Sequence, residues 1–256
     1  MEPVYQWVIA SVRTMFALQG LKFSMWGREH IPREGGAVMA LNHTGYMDFT
    51  YAGNATIPTR RLVRYMAKDS VFRNPVAGPM MRGMKHIPVD RAHGAGSFRE
   101  AVEALKQGEI VGVYPEATIS RSFELKEFKT GAARMARDAQ VPILPTIVLG
   151  AQRVWTKDHP KNLGRTNIPI YVEINPPLRV DAGEDVHAAT ERLRAVMSES
   201  LDRLWAKYPP LHGADLVYLP ARFGGLAPTP QQAARMDASE KAQRAKRRRK
   251  GNDPDD

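Results

Sequence analysis

Short apolar runs alternate with helical patterns through the middle of this chain, and that alternation constrains the fold more than any other feature. "GAVMALNH" reads as a strand ending at His43, "RLVRYMAK" as a second, and "IVGVYPE" as a buried third. "VPILPTIVLG" and "IPIYVEINPPL" add two more. "HIPVDR" is a short strand whose proline suits a sheet edge or a strand start, because proline brings no N–H to a ladder. Between these runs, "YMDFTYAGNAT", "SFREAVEALKQGE", "TGAARMARDAQ" and the long "GEDVHAATERLRAVMSESLDRLWAKY" read as helices, while "SVFRNPVAGPMMRGM" is helical or irregular. Ser97 and Glu100 have the spacing of a capping box, and Gly108 marks a helix stop. In the long helix Val186, Ala189, Leu193, Val196, Leu201 and Leu204 fall near one face. The pattern predicts an α/β fold with a mixed, largely parallel sheet flanked by helices. With 43% hydrophobic residues over 256 positions, one sizeable core in one domain is expected.

The two ends read differently. Residues 1–25 are apolar but interrupted by Gln6, Arg13 and Gln19, whereas a spanning helix needs ~20 predominantly apolar residues. An amphipathic, membrane-associating helix fits better, with Trp7, Val8, Val12, Met15 and Phe16 on its water-averse side. The competing reading is a helix packed on the protein's own core. There is neither a basic n-region nor a small-residue cleavage site of a secretory signal. Residues 26–210 carry the α/β pattern. Residues 211–256 are charged, proline-bearing and poor in large apolar side chains, and are expected to be a basic, mostly disordered tail. The formal charge of +10 points to an anionic partner: a phosphate substrate, an acidic membrane or nucleic acid. The absence of cysteine removes disulfides, thiolate metal sites and a cysteine nucleophile.

Ligands of open α/β sheets bind beyond the carboxyl ends of the strands. Three polar clusters fall at such places: His43 and Asp48; Asp90 and Arg91; and Glu116, Thr118 and Ser120. Loops from neighbouring parallel strands open on one edge, so the clusters are expected to share a cleft. His43 and Asp48 have two readings. In one, the imidazole is a general base and the carboxylate holds its tautomer. In the other, Asp48 satisfies backbone donors in the turn and the pair is structural. No G-x-S-x-G elbow provides a serine nucleophile. Neither the H-E-x-x-H zinc helix nor the G-x-x-x-x-G-K-[ST] loop occurs, and the scattered histidines predict no metal site. A base without a protein nucleophile favours direct transfer to a substrate hydroxyl.

Four blocks, in order, resemble the glycerolphosphate and lysophosphatidic-acid acyltransferase family. "NHTGYMD" matches its Asn-His-x4-Asp block, and "GMKHIPVDR" is similar to the second block. "YPEATIS" is similar to the third, usually Pro-Glu-Gly-Thr-Arg-Ser, and "VPILPTIV" to the fourth. "YMAKDSVFRNPVAGPMMR" also has the family's look. The resemblance covers roughly Trp26 to Tyr208. It implies that His43 is the general base on the acceptor hydroxyl and that Asp48 orients it. It also implies that Arg91 holds the acceptor phosphate, that Lys68 adds charge, and that Glu116 and Thr118 belong to an acceptor-binding loop. No cofactor or metal is implied. The donor is an acyl thioester, acyl-CoA or acyl carrier protein, and the acceptor a lysophosphatidic-acid-like molecule, glycerol 3-phosphate or another lysophospholipid.

The third block departs from the family at Ala117 and Ile119, which stand where glycine and arginine are usual. Losing the arginine removes a bidentate phosphate donor, and Arg121, Lys126 or Lys129 are the candidates to replace it. The glycine change costs little unless the backbone at 117 takes a positive φ. The resemblance and the charge together predict a peripheral or monotopic protein at the cytoplasmic face of an anionic membrane. Against it stand a binding module acting through the basic tail, in which nucleic acid is disfavoured because the tail lacks stacking aromatics, and a lipid hydrolase.

Overall fold

A computed structural model describes residues 2–90 and 95–249. Seven strands form one sheet: β1 (Lys22–Trp26), β2 (Ala37–Leu41), β3 (Val63–Lys68), β4 (Ile87–Val89), β5 (Ile110–Val113), β6 (Ile143–Leu149) and β7 (Pro169–Ile174). Their order is β1-β7-β6-β2-β5-β3-β4. From β6 to β4 all neighbours are parallel, whereas β7 runs antiparallel to β6 and β1 parallel to β7. The sheet is thus mixed and largely parallel, as the alternation predicts, and β4 with Pro88 is an edge.

Every residue of β2, β5 and β6 is buried, because helices cover both faces. The pleat sorts the side chains. Val38, Ala40, Val111 and Ile147 enter the core beneath α5 (Ala95–Lys106), α6 (Gly131–Ala139) and α7 (Val186–Lys207). Met39, Leu41, Ile110 and Val148 enter the core beneath α1 (Pro3–Gln19) and α2 (Asp48–Thr56). Two short helices, α3 (Asp69–Arg73) and α4 (Ala77–Gly83), follow β3. Gly112 of β5 has no room for a side chain, since a Cβ there would lie 2.4 Å from the Tyr65 ring that crosses it.

Four expectations need correction. The N-terminal segment is not one helix over 1–25. Gly20 takes a left-handed φ of 66° and ends α1, and Lys22–Trp26 then joins the sheet. Nor does α1 have a single water-averse side. Val12, Met15 and Phe16 pack on the core beside Tyr5, while Trp7, opposite Phe16 on the helix, is 64% exposed and Leu18 is 71% exposed. Among the described residues, no helix is long and apolar enough to cross a membrane. Ser97 lies inside α5, which starts at Ala95, so it does not cap that helix. Finally, the segment after Pro210 is ordered as far as it is described. Two 3-10 turns (Gly213–Tyr218 and Ala221–Phe223) bring Leu211, Tyr218 and Ala227 into the main core, and α8 (Pro230–Arg249) follows. Residues 250–256 lie outside the described residues.

Candidate active site

The parallel strands bring the carboxyl ends of β2, β5, β3 and β4 to one edge in that spatial order. His43 follows β2, and Glu116 follows β5 directly beside it. Lys68 ends β3, at the start of α3. Arg91, expected to hold the acceptor phosphate, lies outside the described residues, two positions past the end of β4.

The chain leaves the sheet after Leu41 without losing its ladder. The Asn42 side chain takes over, its amide donating to the Val148 carbonyl at 2.9 Å while its oxygen accepts the Val148 N–H at 2.7 Å. His43 comes next. Its Nδ1 lies 3.0 Å from Asp48 Oδ2, and its side chain is 19% exposed. The same Asp48 oxygen accepts the backbone N–H groups of Thr44 and Gly45, each at 2.9 Å. Both readings of Asp48 therefore hold: it orients the ring and it satisfies the turn. Gly45 allows that turn, since a Cβ there would meet the Ala151 carbonyl at 2.9 Å. Complete burial pushes the Asp48 carboxyl above its ordinary range, opposed by the His43 ring and the two N–H groups. An acceptor at Nδ1 places the proton there and leaves Nε2 with its lone pair.

The third block holds the histidine from its backbone. Glu116 Oε1 accepts the His43 N–H at 2.8 Å, and the Ser120 N–H donates to the His43 carbonyl at 2.7 Å. The other Glu116 oxygen accepts the Lys126 N–H at 3.1 Å. Each Glu116 oxygen thus accepts a main-chain N–H in a buried position, so this residue clamps the first block to the third. Burial raises its pKa to about 8, against the two N–H bonds and the charge of Lys126. Tyr114 stacks on the imidazole with ring centroids 4.0 Å apart and planes 19° from parallel. Sequence reasoning assigned no role to Tyr114 or to this use of Ser120. The available signal was an aromatic residue closing a strand next to β2, but the strand order is a property of the fold.

Thr118 accepts from Lys126 Nζ at 2.7 Å. Arg121, only 8% exposed, spends its guanidinium on three carboxylates: Asp158 at 2.5 Å, Glu240 at 2.7 Å, and Asp237. Ile119 is buried. Ala117 takes a φ of 61°, the left-handed region that an L side chain enters at a cost of roughly 1–2 kcal/mol, so the missing glycine is not a mild change. On the other side of Asp48, Met47 and Phe49 reach an apolar cavity of about 300 Å³ between α1, α2 and α4, also lined by Val12, Phe16, Met80 and Met84.

The acyltransferase family model matches residues 22–149, and the chain belongs to that family. A Bacillus subtilis relative named 1-acyl-sn-glycerol-3-phosphate acyltransferase is 30% identical over 57% of this chain and 72% of its own. A Borreliella burgdorferi relative of the same name is 26% identical over 67% of each chain. The crystal structure of a Thermotoga maritima 1-acyl-sn-glycerophosphate acyltransferase superimposes with a TM-score of 0.67 at 20% identity, over 80% of this chain and 83% of that one.

Proposed function

We propose that this acyltransferase moves a fatty acyl group from an acyl thioester to the hydroxyl of a lysophosphatidic-acid-like acceptor, with His43 as general base. The carrying observation is the mounting of His43: Nδ1 on Asp48, both backbone polar groups on the third block, one ring face on Tyr114, and Nε2 left for a ligand. Nε2 takes the acceptor's proton as its oxygen attacks the thioester carbonyl. Asp48 stabilises the imidazolium, and the proton passes to the departing thiolate, giving an ester and a free thiol. A thiolate is a good leaving group, so the chain needs no nucleophile of its own.

The apolar cavity next to Met47 and Phe49 receives the acyl chain. Arg121 and Lys126, beside Thr118, are the third block's candidate cations for a phosphate, although carboxylates now pair with both, and Lys68 ends β3 on the same edge. The relatives' names favour lysophosphatidic acid, with glycerol 3-phosphate or another lysophospholipid as the alternatives. The donor is acyl-CoA or acyl carrier protein. Exposed Trp7 and Leu18 on α1, with the basic outer side of α8, suit peripheral attachment to an anionic membrane on its cytoplasmic face.

The test is thiol release from palmitoyl-CoA with lysophosphatidic acid, glycerol 3-phosphate or no acceptor, in vesicles. Release is expected to depend on acceptor, and His43→Ala is expected to lower kcat by about 10²–10⁴-fold. Full activity in the variant would remove His43 as the base. Release indifferent to every acceptor would turn the reading to a hydrolase.

A further inference from the structure

The third block's cations are already occupied. Helix α8 contains two acidic residues, Asp237 and Glu240, among the bases Arg235, Lys241, Arg244 and Lys246. They lie three positions apart and so share a face, and that face meets the third block. Asp237 pairs with both Arg121 and Lys126, while Glu240 pairs with Arg121 at 2.7 Å and with Lys157 at 3.0 Å. Two carboxylates thus sit on basic side chains of and beside the third block. Glu116 accepts the backbone N–H groups of both His43 and Lys126, so the segment carrying Lys126 adjoins the catalytic loop.

Little else holds α8 down. Ala233 is the one residue between Pro230 and Lys246 classed as buried, and Met236 remains 39% exposed. Its docking therefore rests on ion pairs at a partly wet surface, which are individually weak and exchangeable. A cleft of about 510 Å³ already opens between α8 and the loops carrying Tyr46, Trp155 and Arg121. The Arg121 hydrogen bond, ahead of the other contacts, lowers the Glu240 pKa to about 2, so its carboxylate is charged at any working pH.

We infer that α8 is an acidic strap, an internal ligand that fills the acceptor's phosphate site and that a phosphate monoester must displace. This rests on the function proposed above, and it gives the third block's lost arginine a consequence: with Arg121 and Lys126 as the cations, acceptor binding competes with the chain's own C-terminal helix.

The test pairs kinetics with hydrogen exchange on the full chain. Asp237→Asn with Glu240→Gln removes both charges and keeps side-chain size. The acceptor KM of this variant is expected to fall about three- to tenfold with kcat unchanged. In the wild type, amide exchange over residues 230–246 is expected to accelerate with lysophosphatidic acid and not with lysophosphatidylcholine. A glycerol 3-phosphate arm separates a soluble phosphate from a lipid one, and acceleration by it also supports the strap. An unchanged or raised acceptor KM overturns the strap and leaves the acyl transfer standing. So does exchange that stays slow with saturating lysophosphatidic acid. Absence of transfer in wild type and variant alike overturns the proposed function instead, and the exchange arm still decides whether phosphate displaces α8.

Discussion

Two terminal helices of similar length flank the site, and they are attached by opposite means. Helix α1 is held by burial. Phe16 is 4% exposed, with its ring centroid 5.1 Å from those of both Phe23 and Tyr51, and the Tyr5 hydroxyl donates to the Val63 carbonyl at 2.8 Å. Helix α8 is held by charge, with carboxylates on Arg121, Lys126 and Lys157 and almost nothing apolar beneath. The difference separates a wall from a strap. Burial is non-directional and is not weakened by charge screening, whereas ion pairs at a wet surface weaken as salt screens them.

The largest effect that would test this contrast is Phe16→Ala. It is expected to cost about 3–5 kcal/mol in a denaturant melt, the range for a large aromatic removed from a core. A loss below about 1 kcal/mol would place α1 in the same class as α8.

A pH titration sharpens the contrast next. His86 sits in the cavity under α1, edge-on to Tyr5 and accepting the Tyr65 N–H through Nδ1. Burial, and then the nearby Arg64, lower its pKa from 6.5 to about 4. The unfolded chain gains that proton first as pH falls, so stability is fully present above 6.5 and lost as pH drops towards about 4. The slope for this group is at most about 1.4 kcal/mol per pH unit. Across that window Glu240 stays charged. Melting curves of the wild type and His86→Asn, whose side-chain oxygen offers the Tyr65 N–H an acceptor, should diverge below pH 6.5. Parallel curves would mean that His86 is not the group responsible.

The smallest effect in stability is at α8 itself. Asp237→Asn with Glu240→Gln is expected to change the melt by less than about 1 kcal/mol. Raising ionic strength should speed amide exchange over α8 far more than over the body of α1, whose charged contact is confined to Glu2 at its cap. Equal salt sensitivity in both helices would erase the distinction.

The same contrast explains what was legible in the sequence. Buried runs such as "IVGV" and "ILPTIVL" are long enough and apolar enough to announce β5 and β6, and "NHTGYMD" announces the base and its orienter. The join between α1 and β1 passed unnoticed because apolar residues continue through Leu21 and Phe23, although Gly20 was the available stop signal. Helix α8 read as disorder because its composition offers no apolar stripe. Its partners are an arginine and two lysines more than 80 positions away, a distance no local pattern reports. That Glu116 also clamps the catalytic loop is not legible locally, because only the adjacency of β2 and β5 brings its carboxylate to the His43 N–H.

The Asn42 amide has a mechanical meaning. It is the last rung between β2 and β6, made by a side chain because the backbone has already turned away towards the cleft. The residue before the imidazole is therefore tied to β6 as well as to its own strand. An aspartate of identical outline would point an oxygen at the Val148 carbonyl and have no hydrogen to offer it. Asn42→Asp would thus unfasten the catalytic loop from its far-side support while leaving His43 and Asp48 in the sequence unchanged.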